Sequence, residues 1–295
     1  MGSDCLAPWV MADATRDGGL ASPLAVATID GRSRPSDRTF IVVQGIRAWI
    51  ESFEMRRFQL IAGRLRIRLV VVEVPGFGAA GTRLLTDERC ALLTGVFGPL
   101  ATRMLDAALR VIGGQGMQRL SFLGYSMGAS IATAMASCAT RRGIGVEHLC
   151  LVEPVAMQRW RIGELVAATR AEGHQIERYL EANGAVAGAV LPWDRRGGTG
   201  PATHRRRDLL LLGAALSRGG LGKELLASGS PHLVIVRGDR SSLSQGDLSP
   251  TVHQLRAAGV VTDELVVPGH HAFWHSLPAV DEMCRRLQGF LSDKD

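Results

Sequence analysis

The chain has 295 residues, 46% of them hydrophobic and 21% charged, and its formal charge is +6. That balance excludes wholesale disorder and is enough for one large folded domain. Arginine supplies most of the positive charge, but no stripe interleaves it with stacking aromatics and no zinc-finger spacing occurs, so a nucleic-acid partner is not expected.

Residues 1–37 are mixed and read as a loose N-terminal segment, with Leu24 to Ile29 as a short edge strand. Phe40 to Val43 is a β-branched run stopped by Gln44-Gly45, which predicts a buried strand ending in a loop. Helical spacing follows from Trp49 to Ile61. Leu65 to Val74 is the next strand signal and ends at Pro75-Gly76-Phe77-Gly78. Asp87 to Ile112 has a helical pattern stopped by Gly113-Gly114.

Leu120 to Leu123 predicts a strand, and it delivers Gly124-Tyr125-Ser126-Met127-Gly128. A small-residue helix, Ala129 to Ala139, comes next. A strand, a tight glycine-flanked turn with serine at its tip and a helix together expose one hydroxyl. Ser126 is therefore the candidate nucleophile.

His148 to Val152 is a further strand, ending at Glu153-Pro154. Residues 157–230 are less regular. They hold helical stretches at Gly163–Asn183 and Arg207–Leu216, separated by a Gly/Pro/Arg-rich loop, and read as an inserted lid. Strands His232–Val236 and Glu264–Val267 then alternate with helices Thr251–Ala258 and Val280–Leu291. This alternation predicts a mostly parallel sheet covered on both faces, with 38–156 and 231–295 as its core.

A serine hydroxyl needs an adjacent base. Two histidines, His270 and His271, follow the last strand and are candidates. The orienting carboxylate is expected at Asp239, in the turn after the penultimate strand, with Glu153 and Asp247 as alternatives. Backbone N–H groups of Met127 and Ile46 are placed to receive an oxyanion. Gln44, Met157, Trp160, Tyr179, Trp193, Phe273 and Trp274 are candidate pocket residues. Arg195, Arg196, Arg205, Arg206 and Arg207 form a candidate anion site, for a carboxylate, a phosphopantetheine arm or an acidic partner, on a lid loop. The glycine-rich turns lack the spacing of a nucleotide loop, and no carboxylate–histidine cluster has metal-ligand spacing. Neither a cofactor nor a metal is expected.

The five scattered cysteines contain no CxxC and read as free thiols. No leader pattern and no apolar run of about 18 residues is present, which predicts a cytoplasmic protein without a membrane span.

These motifs resemble the α/β-hydrolase superfamily over residues 38–156 and 231–292. Gln44-Gly45 matches the family's His-Gly at the oxyanion loop. Glu73-Val74-Pro75-Gly76-Phe77-Gly78 matches its Asp-x-Pro-Gly-x-Gly, and Gly124 to Gly128 matches its nucleophile elbow. The resemblance implies an α/β-hydrolase fold with an inserted helical lid. It also implies attack on an activated carbonyl through an acyl enzyme, so a carboxylic ester, thioester or lactone is the expected substrate class. The acyl group could be free, carrier-bound or CoA-like. Counting back from Leu277-Pro278 favours His271 as the base, whereas Gly269-His270 matches the family's Gly-His. The family's usual acid position falls on Ser241, two places beyond Asp239; members with the acid after the sixth strand point to Glu153. A non-catalytic receptor or scaffold, or a cyclase or lyase, is the competing expectation.

Overall fold

Along Phe40-Ile41-Val42-Val43 every side chain is buried, but alternate ones belong to different cores. Ile41 and Val43 face one apolar cluster, Phe40 and Val42 the other. A strand with a period of two and no polar face can only sit inside a sheet covered on both sides. The computed structural model has that architecture and describes residues 10–16, 19–31, 38–46, 48, 50, 52–78, 81–113, 119–187, 205–244 and 249–292.

Among the described residues eight strands form one sheet: β1 (Val10–Arg16), β2 (Gly19–Asp30), β3 (Thr39–Val43), β4 (Arg68–Val72), β5 (Arg119–Tyr125), β6 (Gly145–Val152), β7 (His232–Gly238) and β8 (Val261–Val267). Their spatial order is β1-β2-β4-β3-β5-β6-β7-β8. β1 and β2 are antiparallel additions at one edge, and β3 to β8 are parallel.

The described part of the N-terminal segment is not loose. β1 and β2 pair antiparallel from Val10↔Val26 to Arg16↔Gly19, and β2 pairs with β4 from Val26↔Val72 to Asp30↔Arg68. Leu24 and Val26 enter one core, Ala25, Ala27 and Ile29 the other. Small alanines weaken the apolar alternation, which is why the sequence pattern understates this strand.

Helices α1 (Ser52–Leu65) and α10 (Leu277–Ser292) cover one face through Phe58, Ile61, Val280, Met283 and Leu287. On the other face lie α2 (Thr86–Leu93), α3 (Gly98–Ile112) and α4 (Met127–Arg141). The long helix expected over Asp87–Ile112 is thus two helices. Gly95 adopts a left-handed φ of 84°, and Pro99 occupies the first turn of α3, where its missing N–H costs nothing. Between β6 and β7 run α5 (Ile162–Gly173), α6 (Ile176–Ala187), α7 (Arg206–Ser217) and α8 (Leu221–Ala227), so the stretch Gly163–Asn183 also divides in two. α9 (Ser249–Ala257) precedes β8.

One carboxyl in this shell has its ionisation shifted by burial. Burial pushes Glu224 of α8 up to about 7, against a weaker opposing hydrogen bond from the Phe97 N–H. Its Oε2 is buried with no hydrogen-bond partner among the described residues. A raised folded value means that stability is lost as pH rises from the unfolded value of 4.5 through about 7. Glu224→Gln should therefore melt with the wild type at pH ~4 and above it at pH ~8, by no more than about 3 kcal/mol. Matched thermal melts at the two pH values check this; an equal shift at both would reject it.

Candidate active site

Ser126 stands between β5 and α4 with φ 57° and ψ −119°, a conformation that L residues avoid. Its N–H continues the β5–β6 ladder to the Val152 carbonyl at 2.9 Å. Two glycines allow the turn. A Cβ on Gly128 would lie 2.1 Å from the Val43 carbonyl oxygen, and one on Gly124 would lie 2.4 Å from the Gly128 oxygen. The chain thus turns tightly enough to hold the serine at the strand end, with its side chain on the sheet's parallel-strand edge.

His271 opens a short 3-10 turn, His271–His275, after β8. Its Nε2 lies 2.9 Å from Ser126 Oγ, and its Nδ1 lies 2.8 Å from Glu153 Oε2. Glu153 directly follows β6 and is fully buried. It also has a positive φ, 54°, and its N–H reaches the Val236 carbonyl at 2.7 Å. Two of the described non-glycine residues with left-handed backbone are therefore the serine and the carboxylate on either side of one imidazole.

Burial alone would raise the Glu153 carboxyl. The His271 hydrogen bond and charge, the Ser241 hydroxyl and the Gly238 N–H outweigh it and hold the group below its usual range. Ser241 Oγ donates to Oε2 at 2.5 Å, and Gly238 N–H donates to Oε1. An ionised carboxylate here favours an Nδ1–H on His271, which leaves Nε2 free to accept from the serine.

Asp239, the first choice for the acid, does not reach the histidine ring. Its Oδ1 accepts the Gly269 N–H at 2.7 Å and faces Arg240 at 3.5 Å, with the side chain half exposed. It braces the backbone of the loop that carries His271. The Gly269 N–H is also the chief cause of its lowered pKa. The physical reason for the difference is register. β6 and β7 lie side by side, and the residue leaving β6 points under His271, whereas Asp239 leaves β7 toward the surface. Asp247, Trp193, Arg195 and Arg196 fall outside the described residues.

His270 turns away from Ser126. Its N–H donates to Tyr179 Oη at 2.9 Å, and its Nδ1 lies 3.2 Å from the same oxygen. Tyr179, on α6, is thus a fastening for the histidine loop. Asn183, also on α6, repeats the role: it donates to the His275 carbonyl at 2.9 Å and accepts the Leu277 N–H at 2.6 Å. Phe273 and Trp274 are buried in the core facing α1, not exposed in a pocket wall. Trp274 stacks on Tyr125 at 4.8 Å and lies under the Arg57 guanidinium. Tyr125 in turn donates to the His271 carbonyl at 3.1 Å.

Met127 is the first residue of α4, so its N–H has no intrahelical acceptor. Ile46 is half-buried in the turn after β3. Gln44 is buried, and both atoms of its carboxamide lack a hydrogen-bond partner among the described residues. Met157 and Trp160 pack against the core, and Trp160 Nε1 donates to the Val155 carbonyl at 2.9 Å. Arg205 is tied to the loop after β4: its N–H reaches the Gly76 carbonyl at 2.9 Å and Nη2 the Gly81 carbonyl at 3.2 Å. Arg206 and Arg207 are exposed at the start of α7. Sequence reasoning gave no role to Ser242, Ser244, Glu172 or Asn183, because single serines and carboxylates at those spacings carry no local signal.

Among the described residues no group of three or more His, Cys, Asp or Glu is arranged to hold a metal ion. Nor is any described helix long and apolar enough to cross a membrane.

No protein-family model and no curated protein matches the chain. Solved structures do. The chain is similar to an enol-lactonase from Burkholderia xenovorans LB400, with TM-score 0.59 and 14% identity over 92% of this chain and 97% of that one. It is similar to a thermophilic esterase from Thermogutta terrifontis, with TM-score 0.56 and 15% identity over 97% and 98%. A thioesterase domain from the curacin biosynthetic pathway gives TM-score 0.53 and 17% identity over 94% and 99%. The chain has the α/β-hydrolase fold.

Proposed function

We propose that this chain of α/β-hydrolase fold is a serine hydrolase that cleaves a carboxylic ester or thioester through an acyl enzyme. The observation that carries the reading is the continuous hydrogen-bonded row Ser126–His271–Glu153, with both links under 3 Å. In this reading His271 Nε2 takes the proton from Ser126 Oγ as the oxygen attacks the acyl carbonyl. The carbonyl oxygen becomes an oxyanion, received by the N–H groups of Met127 and Ile46. The imidazolium, held by Glu153, then protonates the departing alcohol or thiol. Water repeats the sequence on the acyl-serine and releases the acid.

The non-catalytic alternative rests on the displaced Asp239 and on Gln44 in place of histidine; the 2.8 Å contact of Glu153 with His271 weighs against the first of these. We read residues 157–230 as a lid and its arginines as a site for an anionic acyl carrier or CoA-like arm. The reading takes the protein as cytoplasmic, in keeping with the free thiols Cys90, Cys138, Cys150 and Cys284.

A fluorophosphonate probe tests the reading without knowledge of the substrate. The expected result is one covalent adduct, mapped by mass spectrometry to the peptide carrying Ser126. Folded protein that stays unlabelled across pH ~5–9 would overturn it.

A further inference from the structure

The turn after β7 carries three serines, Ser241, Ser242 and Ser244, and each is hydrogen-bonded toward the site or its supports. We infer that Ser241 is a positioning residue that sets the charge of Glu153, and through it the proton affinity of the His271–Glu153 pair. This rests on the serine-hydrolase reading and adds to it a residue outside the row of three.

The argument is one of proton counting. A serine hydroxyl has one proton to donate and two lone pairs. Ser244 N–H donates to Ser241 Oγ at 3.2 Å, so one acceptor position is occupied. The single proton of Ser241 is left to the Glu153 Oε2 at 2.5 Å. Glu153, fully buried, then has three donors: Ser241 O–H, Gly238 N–H and His271 Nδ1–H. Charge-assisted bonds of this kind keep a carboxylate ionised without water.

The turn cannot easily rotate away. Ser244 Oγ donates to the Pro154 carbonyl at 3.1 Å, next to Glu153 itself. Ser242 donates twice to Glu172 Oε1, from its N–H at 2.6 Å and from its Oγ at 2.8 Å. Glu172 belongs to α5 and is buried. The helical segment between β6 and β7 thereby clamps the turn that holds the acid. The other titratable groups beside this pair are Tyr125 on β5, whose ring lies 5.3 Å from that of His271, and His275 on the histidine turn; behind them, Glu54 and Arg57 on α1 and Glu172 on α5 act on Tyr125, and Arg57 also on His275.

Removing the Ser241 donor leaves the carboxylate with two. Its negative charge is then less dispersed, and the pair holds its proton to higher pH. The rate of fluorophosphonate labelling of Ser126 against pH reads this directly. In Ser241→Ala the acid limb should move up by about one pH unit, an approximately tenfold slower reaction below the limb. Ser241→Cys preserves the volume with a weak donor and should move the limb the same way, which covers the case in which the alanine variant does not fold. Ser230→Ala removes a serine hydroxyl at the other end of β7, where its Oγ donates to the His232 carbonyl at 2.8 Å, and should leave the limb in place. A wild-type limb in a folded Ser241 variant, or an equal shift in Ser230→Ala, would overturn the inference while labelling of the wild type still upheld the hydrolase. A wild type that does not label would sink the hydrolase reading itself.

Discussion

Ser126→Ala and His271→Ala should each lower kcat toward an activated acyl ester by about 10⁶-fold, and the double variant should be no worse than either. The reason for the non-additivity is that nucleophile and base act as one unit. Without His271 the hydroxyl keeps its proton; without Ser126 the imidazole has nothing to activate. What survives is whatever the Met127 and Ile46 N–H groups and substrate binding still supply. His270→Ala is the matched control. Its ring is bonded to Tyr179 rather than to Ser126, so its loss removes one hydrogen bond, worth a factor of about ten or less. Steady-state kinetics on the four variants checks this. If His270→Ala were as damaging as His271→Ala, the assignment of the base would be wrong.

Glu153→Gln should lower kcat/KM by about 10⁴-fold, whereas Asp239→Asn should cost less than about tenfold. The amide keeps the volume of Glu153 but presents an uncharged group to His271 Nδ1. It no longer enforces the tautomer that leaves Nε2 open to Ser126, and it no longer balances the imidazolium. Asp239 lies half exposed on the Gly269 N–H and has no contact with the ring. The same pair of variants separates in stability. The Glu153 carboxyl is depressed in the fold, so its contribution is present above the unfolded value of 4.5 and is lost as pH falls through the folded one. The deficit of Glu153→Gln relative to wild type should thus be widest near neutrality and should narrow in acid. Kinetics and melts that ranked Asp239 above Glu153 would reverse the assignment.

The parts of the site legible in the sequence are those encoded by adjacent residues. The elbow is a local device: Gly124 and Gly128 must lack side chains for reasons of steric contact within a few residues and with the Val43 carbonyl. The sheet's middle strands were legible too, since apolar runs such as Phe40–Val43 and His232–Val236 are each followed two residues on by a glycine, Gly45 and Gly238. The edge hairpin was understated because alanines blur its alternation. The break between α2 and α3 was missed because the apolar pattern continues across Gly95.

By itself the sequence singled out Ser126, the adjacent histidines His270 and His271, and the alternation of strands and helices that carries them. Only the tertiary structure shows that His271, not His270, meets Ser126, and that Glu153, not Asp239, meets His271. Neighbouring residues in the histidine loop point to opposite sides, one to Tyr179 and one to Ser126. Which carboxylate meets His271 depends on which loop end lies under Nδ1, and that follows from the lateral pairing of β6 with β7, strands far apart along the chain. A carboxylate's neighbours across a sheet leave no periodic trace in the residues around it. The donors that charge Glu153 arrive from the turn after β7 and the clamp from α5, so their role exists only once the chain has folded.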